Sequence, residues 1–213
     1  MPEALACMQS SEGVNVNKGA FYSFEPADGA AKAGLIFYPG GRVDPISYSP
    51  YAFSLAKKGY LAVIVPMPLN LAIFGIEKAS EVINAYPGIE TWVIGGHSLG
   101  GSMAAQYASN NPNKLKGLIL LASYPPASVN LSSLPIEVLS IYGTNDGLTS
   151  LVEINASKSQ LPSTSVFVEI EGGNHGQFGY YGKQEGDREA TISRELQQSI
   201  VLNYTLALFG DLG

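Results

Sequence analysis

The chain has 213 residues, of which 46% are hydrophobic, and its formal net charge is −6. This length suits one domain, and an acidic balance without a Lys/Arg cluster argues against nucleic acid or an anionic membrane as partner. The single cysteine, Cys7, excludes an internal disulfide and fits a reducing cytosol. No run approaches the roughly 18 apolar residues of a membrane span, and residues 5–8 are too short for the apolar part of a signal peptide. We therefore expect a cytoplasmic protein.

Apolar strand-like segments alternate with helix-like segments along the chain, which predicts an α/β fold. The predicted strands are residues 14–24 (an opening strand or hairpin), 33–38, 60–65, 91–95, 115–121, 137–142 and 165–170. The predicted helices are residues 48–58, 75–86, 100–110, 148–160 and 190–208. The strands are apolar throughout, as expected where helices cover both faces of a mostly parallel sheet. Because no repeat or linker interrupts the pattern, we expect residues 1–213 to form a single domain without a cap domain.

The strongest functional signal lies in residues 92–101. An apolar strand pattern leads into Gly96-His97-Ser98-Leu99-Gly100, and a small-residue helix pattern follows at once. This is the context of a nucleophile elbow, in which a strained serine on a strand-to-helix turn exposes its Oγ. The two glycines remove Cβ atoms where strand and helix crowd together, and the helix N-terminus favours developing negative charge. The alternative is a Gly-rich turn whose serine is only a helix cap.

A serine nucleophile needs a general base and an acid that orients the base. The chain has two histidines, and His97 adjoins the serine in a tight turn that points neighbouring side chains apart, so His175 is the expected base. The order serine, acid, histidine requires an acid between them, and Asp146 follows the predicted strand 137–142. The competing acids in this interval are Glu137, Glu153, Glu169 and Glu171, and only the last comes close to a strand end. We expect Ser98, Asp146 and His175 to form a catalytic triad.

The oxyanion hole should use the N–H after the nucleophile, at Leu99, and one from a loop after an earlier strand. That loop is Pro39-Gly40-Gly41-Arg42, which follows the predicted strand 33–38. Gly41 is the first candidate for the second donor. Arg42 is the alternative, because the sequence does not fix the register of this loop to within one residue.

These motifs resemble those of the α/β-hydrolase superfamily, in particular its small lidless branch of dienelactone-hydrolase-like and cutinase- or minimal-lipase-like enzymes. The resemblance covers roughly residue 14 to the end and rests on residues 96–100, 142–146 and 173–175. It implies carboxylic-ester hydrolysis through an acyl-enzyme with the triad named above. Dienelactone hydrolases carry cysteine where this chain has Ser98, which argues against a dienelactone substrate. The segment 177–198 is also similar to that of a bacterial subgroup known only as hydrolases.

Other classes of site fit the sequence less well. Residues 95–100 do not form G-x-G-x-x-G, no ribose-binding acid follows strand 115–121, and no Gly-Lys-Ser/Thr marks a phosphate loop. Two histidines without suitably spaced carboxylates do not assemble three metal ligands. We therefore expect no metal and no cofactor. A small-molecule-binding protein that keeps the triad as a vestige is the non-enzyme alternative.

The sequence identifies the residues of the substrate pocket less specifically than those of the triad. Residues 66–74 either form an apolar acyl-binding wall, or Leu71, Ile73 and Phe74 start the next helix and pack inward. Tyr48 and Tyr51 are expected to cover the sheet rather than to line the site. Candidate rim residues follow the histidine: Phe178, Tyr180 and Tyr181. We expect an open site for small esters with short acyl groups, with thioesters as a further candidate and a lipase for longer chains as the alternative.

Overall fold

The fold is described by a computed structural model over residues 1–11, 13–29 and 31–213. The strands are β1 Val14–Lys18, β2 Tyr22–Pro26, β3 Ala33–Tyr38, β4 Leu61–Ile64, β5 Thr91–His97, β6 Gly117–Leu121, β7 Glu137–Gly143 and β8 Val166–Ile170. The helices are α1 Pro2–Ala6, α2 Ser49–Ala56, α3 Lys78–Ala85, α4 Leu99–Asn110, α5 Leu151–Ser157 and α6 Arg194–Leu212. Single 3₁₀ turns occupy Pro45–Tyr48, Pro68–Asn70, Ala72–Phe74, Lys158–Gln160 and Gly176–Phe178.

The described strands form one eight-stranded sheet in the order β1-β2-β4-β3-β5-β6-β7-β8. β1 and β2 form an antiparallel hairpin, and β2 also pairs with β4 in antiparallel orientation. The remaining pairs are parallel, with β5 between β3 and β6. The carboxyl ends of parallel strands meet at one edge of a sheet, and ligands of open α/β sheets bind there. The loops after β3, β5, β6, β7 and β8 therefore converge on one edge.

Helices bury both faces of the sheet, as the apolar strands predict. Successive side chains of a strand point to opposite faces, and on β3 Leu35 and Phe37 join one core with α2 and α6. Ile36 and Tyr38 join a second core on the other face with α3 and α4. The α/β-hydrolase fold predicted from the sequence is confirmed, and the described residues contain no separate cap domain.

The boundaries of several elements differ from the prediction. The helix predicted over residues 148–160 is α5 Leu151–Ser157, followed by the 3₁₀ turn Lys158–Gln160. The helix predicted from residue 75 begins at Lys78, because two 3₁₀ turns occupy Pro68–Asn70 and Ala72–Phe74. The last helix begins at Arg194 rather than at residue 190, because the Ser193 side chain caps it by accepting the Leu196 N–H. The short helix α1 was not predicted. Within the described part of the chain, no helix combines the length and apolar character needed to cross a membrane.

Candidate active site

The turn between β5 and α4 places Ser98 in a strained backbone conformation, with φ 52° and ψ −123°. Such a conformation costs a non-glycine residue on the order of 1–3 kcal/mol and persists only where the surroundings enforce it. A Cβ atom at Gly96 would overlap the backbone of Gly100, and one at Gly100 would overlap the carbonyl oxygen of Tyr38. Both glycines are therefore required by the close approach of strand and helix. The Ser98 residue itself is partly exposed.

Hydrogen bonds to β6, to the loop after it and to α4 hold the Ser98 backbone in place. Its N–H donates to the carbonyl of Leu121 at 2.9 Å, and its carbonyl accepts the Ser102 N–H at 3.2 Å. The buried Ser123 hydroxyl also donates to the Ser98 carbonyl, at 2.7 Å. Ser123 follows Ala122, which has a positive φ of 45°. The sequence analysis did not find Ser123, which carries no motif of its own.

His175 and Asp146 form a buried pair at the same edge of the sheet. The His175 Nδ1 atom lies 2.9 Å from Asp146 Oδ2, and the residues are 1% and 2% exposed. The other carboxylate oxygen accepts the N–H groups of Leu148 and Thr149, at 2.8 and 2.7 Å. A proton on Nδ1 is thus held toward the carboxylate, which leaves a lone pair on Nε2. Among the described residues, that buried Nε2 atom has no hydrogen-bond partner.

The serine turn and the histidine pair meet through His97. The ring of His97 lies 4.5 Å from the ring of His175, measured between centroids.

Of the competing acids, Glu153 closes a capping box with Ser150 at the start of α5 and accepts the Tyr124 hydroxyl at 2.6 Å. Glu171 is exposed. The structure therefore brings Asp146, and not these two acids, into contact with His175.

The loop after β3 distinguishes the two candidate oxyanion donors. The Arg42 N–H donates to the carbonyl of Asn70 at 2.7 Å, so it is already engaged. Within the described residues, the N–H groups of Gly41 and Leu99 have no hydrogen-bond acceptor. Unsatisfied N–H groups at a helix start and in a glycine loop are suited to donate hydrogen bonds to a negatively charged oxygen. The geometry therefore favours Gly41 over Arg42.

His97 is fully buried and is engaged by Tyr48. The Tyr48 hydroxyl accepts the Gly40 N–H at 3.0 Å and lies 2.8 Å from His97 Nδ1. Burial lowers the pKa of His97 well below its usual value, the charge of His175 lowers it further, and the His175 backbone acts in the opposite direction. His97 is thus an uncharged residue near neutral pH. Tyr48 and Tyr51 cover the sheet as predicted, since both are buried and both rings contact Phe37.

Asp187 connects the loop that follows Asp146 with the loop that carries His175. Its carboxylate accepts the N–H groups of Gly147, His175 and Gly176, at 3.1, 3.3 and 2.8 Å. The next residue, Arg188, donates from its guanidinium to the carbonyl of Asp146 at 2.6 Å. Asp187 lies after His175, outside the interval in which the order serine, acid, histidine places the acid, so its role was not predicted.

The aromatic residues after His175 differ from the prediction. Phe178 is 1% exposed and Tyr180 is 9% exposed, so their interpretation as rim residues is wrong. The segment folds back into the protein, because the Tyr180 N–H donates to the carbonyl of Ser47 at 2.7 Å. The Phe178 ring lies 5.7 Å from that of His97. Tyr181 is only partly buried.

Residues 69–74 present apolar side chains to solvent beside the glycine loop. Leu69, Ile73 and Phe74 are 80%, 46% and 55% exposed, so the inward-packing interpretation is wrong for Ile73 and Phe74. A Cβ atom at Gly41 would lie 3.7 Å from Leu71 Cδ2, which places this segment next to the candidate oxyanion donor. The exposed apolar surface therefore borders the site.

The molecule has an α/β-hydrolase fold. This follows from the order of the strands, the parallel crossovers and the strained serine turn at the carboxyl edge of the sheet. Residues 34–199 match the model of the alpha/beta hydrolase family. The matched segment spans the glycine loop, the serine turn, Asp146 and His175. The chain therefore belongs to the alpha/beta hydrolase family. A comparison with curated proteins gave no match.

Solved structures share this fold over nearly the whole chain. A predicted CIB-like hydrolase from Thermoplasma acidophilum has a TM-score of 0.66 at 17% identity, covering 91% of this chain and 99% of its own. Est1E from Butyrivibrio proteoclasticus with ferulic acid bound has a TM-score of 0.68 at 13% identity, covering 94% and 98%. TT1662 from Thermus thermophilus has a TM-score of 0.67 at 14% identity, covering 92% and 98%. At these identities the likeness shows the fold alone.

Proposed function

We propose that this single-domain protein is a serine hydrolase that cleaves small carboxylic esters through an acyl-enzyme. One observation carries the proposal. A serine with a strained backbone lies at the carboxyl edge of the sheet, and the ring of the preceding residue, His97, packs 4.5 Å from the ring of His175. His175 is paired with Asp146, and its buried Nε2 atom has no hydrogen-bond partner among the described residues. Membership of the alpha/beta hydrolase family supports hydrolysis as the reaction. In this proposal Ser98 is the nucleophile, His175 the general base and Asp146 the residue that orients the imidazole.

In the acylation step, Ser98 Oγ bonds to the ester carbonyl carbon while His175 Nε2 takes its proton. The carbonyl π electrons move onto oxygen, and the N–H groups of Gly41 and Leu99 donate to the resulting oxyanion. The imidazolium is stabilised by the carboxylate of Asp146, whose remaining oxygen keeps its two backbone donors. Burial of the His175–Asp146 pair strengthens this stabilisation, because charge interactions are stronger away from water.

Collapse of the tetrahedral intermediate re-forms the carbonyl and breaks the bond to the alcohol oxygen. His175 gives its proton to that oxygen, so the alcohol leaves neutral and Ser98 remains acylated. A water molecule then attacks the acyl carbon, with His175 again taking a proton. When the second intermediate collapses, Ser98 recovers its proton and the carboxylic acid departs.

The nucleophile is tested by comparing Ser98→Ala with Ser54→Ala, a control serine on α2 whose hydroxyl bonds to the Pro50 carbonyl. On p-nitrophenyl acetate, Ser98→Ala should lower kcat by about 10³-fold or more, and the control should retain wild-type rates. A fluorophosphonate probe should label Ser98 in the wild type. Wild-type-like turnover by Ser98→Ala, or labelling of another residue, would refute the assignment. A wild type that binds but does not turn over esters would support the non-enzyme alternative.

The exposed apolar surface of Leu69, Ile73 and Phe74 favours a second candidate, a lipase for longer acyl chains. We retain the short-acyl esterase as the main proposal, because the described residues supply no cap domain to enclose a long chain. Initial rates on p-nitrophenyl esters of two to sixteen carbons separate the two. A maximum at short chains supports the esterase, whereas a maximum at long chains, or a jump in rate when the substrate forms micelles, supports the lipase.

A further inference from the structure

The proposed reaction leaves His97 and Tyr48 without a role, although both are buried beside the residues that it uses. We propose that the Tyr48–His97 pair is a positioning device that holds the oxyanion loop, the serine turn and the His175 ring in one geometry. The proposal rests on the proposed function for its catalytic consequence. The contacts on which it depends are independent of that function.

The first contact is the hydrogen-bond chain from Gly40 through Tyr48 to His97. The Tyr48 oxygen accepts the Gly40 N–H, at 3.0 Å, and its single proton is then available for His97 Nδ1, at 2.8 Å. In this direction one buried group stays unpaired, the Nε2–H of His97, which has no hydrogen-bond partner among the described residues. The reverse would leave two unpaired groups, the hydroxyl proton of Tyr48 and the lone pair on His97 Nε2. The chain therefore fixes His97 as the neutral tautomer with its proton on Nε2.

The second contact is steric and sets the position of the loop. A Cβ atom at Gly40 would lie 2.8 Å from His97 Nδ1 and 2.9 Å from the Tyr48 oxygen, so the loop closes onto the pair only because residue 40 is glycine. The N–H of the candidate oxyanion donor, Gly41, is one residue further along. Its position is therefore determined by where Tyr48 and His97 lie.

The third contact is between the two imidazoles. The His97 ring packs 4.5 Å from the His175 ring, at an interplanar angle of 49°. His97 is also the residue that directly precedes Ser98. One side chain thus contacts the proposed base, adjoins the proposed nucleophile in the chain and reaches the oxyanion loop through Tyr48. An uncharged ring at this place does not oppose the positive charge that His175 acquires.

Removal of the Tyr48 hydroxyl should loosen this arrangement without removing any reacting group. Because a misplacement of about 1 Å can cost about 100-fold in rate, we expect Tyr48→Phe to lower kcat by about 10- to 100-fold with KM changed by less than about threefold. Tyr51→Phe is the matched control. Tyr51 is also buried against Phe37, but its hydroxyl bonds to Thr205, so this variant should keep the wild-type kcat.

Two substitutions at His97 separate positioning from packing. His97→Asn keeps an acceptor near the place of Nδ1 but loses bulk, whereas His97→Phe keeps the bulk of a ring but loses the acceptor. The proposal predicts a higher kcat for the asparagine variant than for the phenylalanine variant. The reverse order would overturn the proposal, as would a Tyr48→Phe variant whose kcat equals that of Tyr51→Phe.

Amide hydrogen exchange tests the pair without any activity. Peptides that contain residues 39–42 should exchange faster in Tyr48→Phe than in the wild type or in Tyr51→Phe, because Gly40 loses its acceptor. Equal exchange in all three proteins would overturn the proposal. If the wild type hydrolyses no ester, the proposed function fails, and the exchange rates alone then decide whether the pair holds the loop.

Discussion

Substitution of Asp187 by alanine tests whether the site depends on a carboxylate that binds the backbone N–H groups of its loops. Four N–H groups would lose their acceptor: those of Gly147, His175 and Gly176 in two loops, and that of the adjacent Arg188. The bond to Gly176, at 2.8 Å, is short, and the bond to His175, at 3.3 Å, exceeds the usual range for such bonds. Asp187 is only partly buried, so water replaces part of what is lost.

The expected loss of stability follows from these bonds. A hydrogen bond to a charged group contributes about 1.5–3 kcal/mol net when buried. Because Asp187 is partly exposed and one bond is long, we count only two bonds and take each at the lower end of this range. The expected loss in the free energy of unfolding for Asp187→Ala is then about 2–3 kcal/mol. At about 2–4 °C per kcal/mol for a chain of this size, Tm should fall by about 4–12 °C. Movement of the His175 loop by about 1 Å should also lower kcat/KM by up to about 100-fold.

Thermal unfolding and p-nitrophenyl acetate kinetics measure both effects, with Glu189→Ala as the control. Glu189 lies two residues away and carries the same charge, but its carboxylate is exposed, where it forms an ion pair with Lys183. Its removal should change stability by less than about 1 kcal/mol and leave the rate unchanged. The reasoning is refuted if Asp187→Ala is no more harmful than Glu189→Ala in either measurement.

Three further substitutions test the backbone and the buried imidazole. Gly100→Ala should cost about 3 kcal/mol or more, because its Cβ would overlap the backbone; a stably folded variant by circular dichroism and urea unfolding would contradict the close approach. Leu69→Asn should raise the free energy of unfolding by about 0.5–1 kcal/mol, because Leu69 is exposed at φ 54° and asparagine tolerates this region better; an unchanged urea midpoint would contradict the strain. His97 binds a proton more readily in the unfolded chain, so its contribution to stability is present above about pH 6.5 and is lost below it, by up to about 1.4 kcal/mol per pH unit. Stability measured from pH 8 to 5 should therefore fall more steeply in the wild type than in His97→Asn, and parallel curves would show that His97 does not titrate on unfolding.

The order of the elements could be predicted because local signals agree with the global fold. Buried strands are recognisable as short apolar runs, and several of them are followed by a glycine or proline that ends the run. Ser98 follows such a run directly, and Asp146 and His175 lie within the first five residues after one. Since the carboxyl ends of parallel strands meet at one edge, three residues far apart in the sequence could be expected to lie together. The structure does bring Asp146 into contact with His175.

The segment from residue 66 to 74 shows where local signals fail. One of the two interpretations of this segment is that Leu71, Ile73 and Phe74 start the next helix and pack inward. Leu69 and Asn70 instead adopt positive φ angles of 54° and 53°, and two separate turns form. Such angles are usually marked by glycine, and none occurs there. The prediction that Phe178 and Tyr180 are rim residues was wrong for a different reason. Their aromatic character fits a rim as well as a core, and only contacts with distant residues, such as Ser47, bury them.

The contacts that support the site could not be predicted from the sequence, for a physical reason. Ser123, Asp187 and Tyr48 each bind main-chain groups, and main-chain groups are the same at every position, so no residue type marks the partner. Their partners also lie far away along the chain: Ser123 is 25 residues from Ser98, and Asp187 is 40 residues from Gly147. A motif can therefore reveal the atoms that would react. The contacts that keep those atoms in position belong to the tertiary structure, and substitutions at these three residues should affect the reaction although none of them is assigned a chemical step in it.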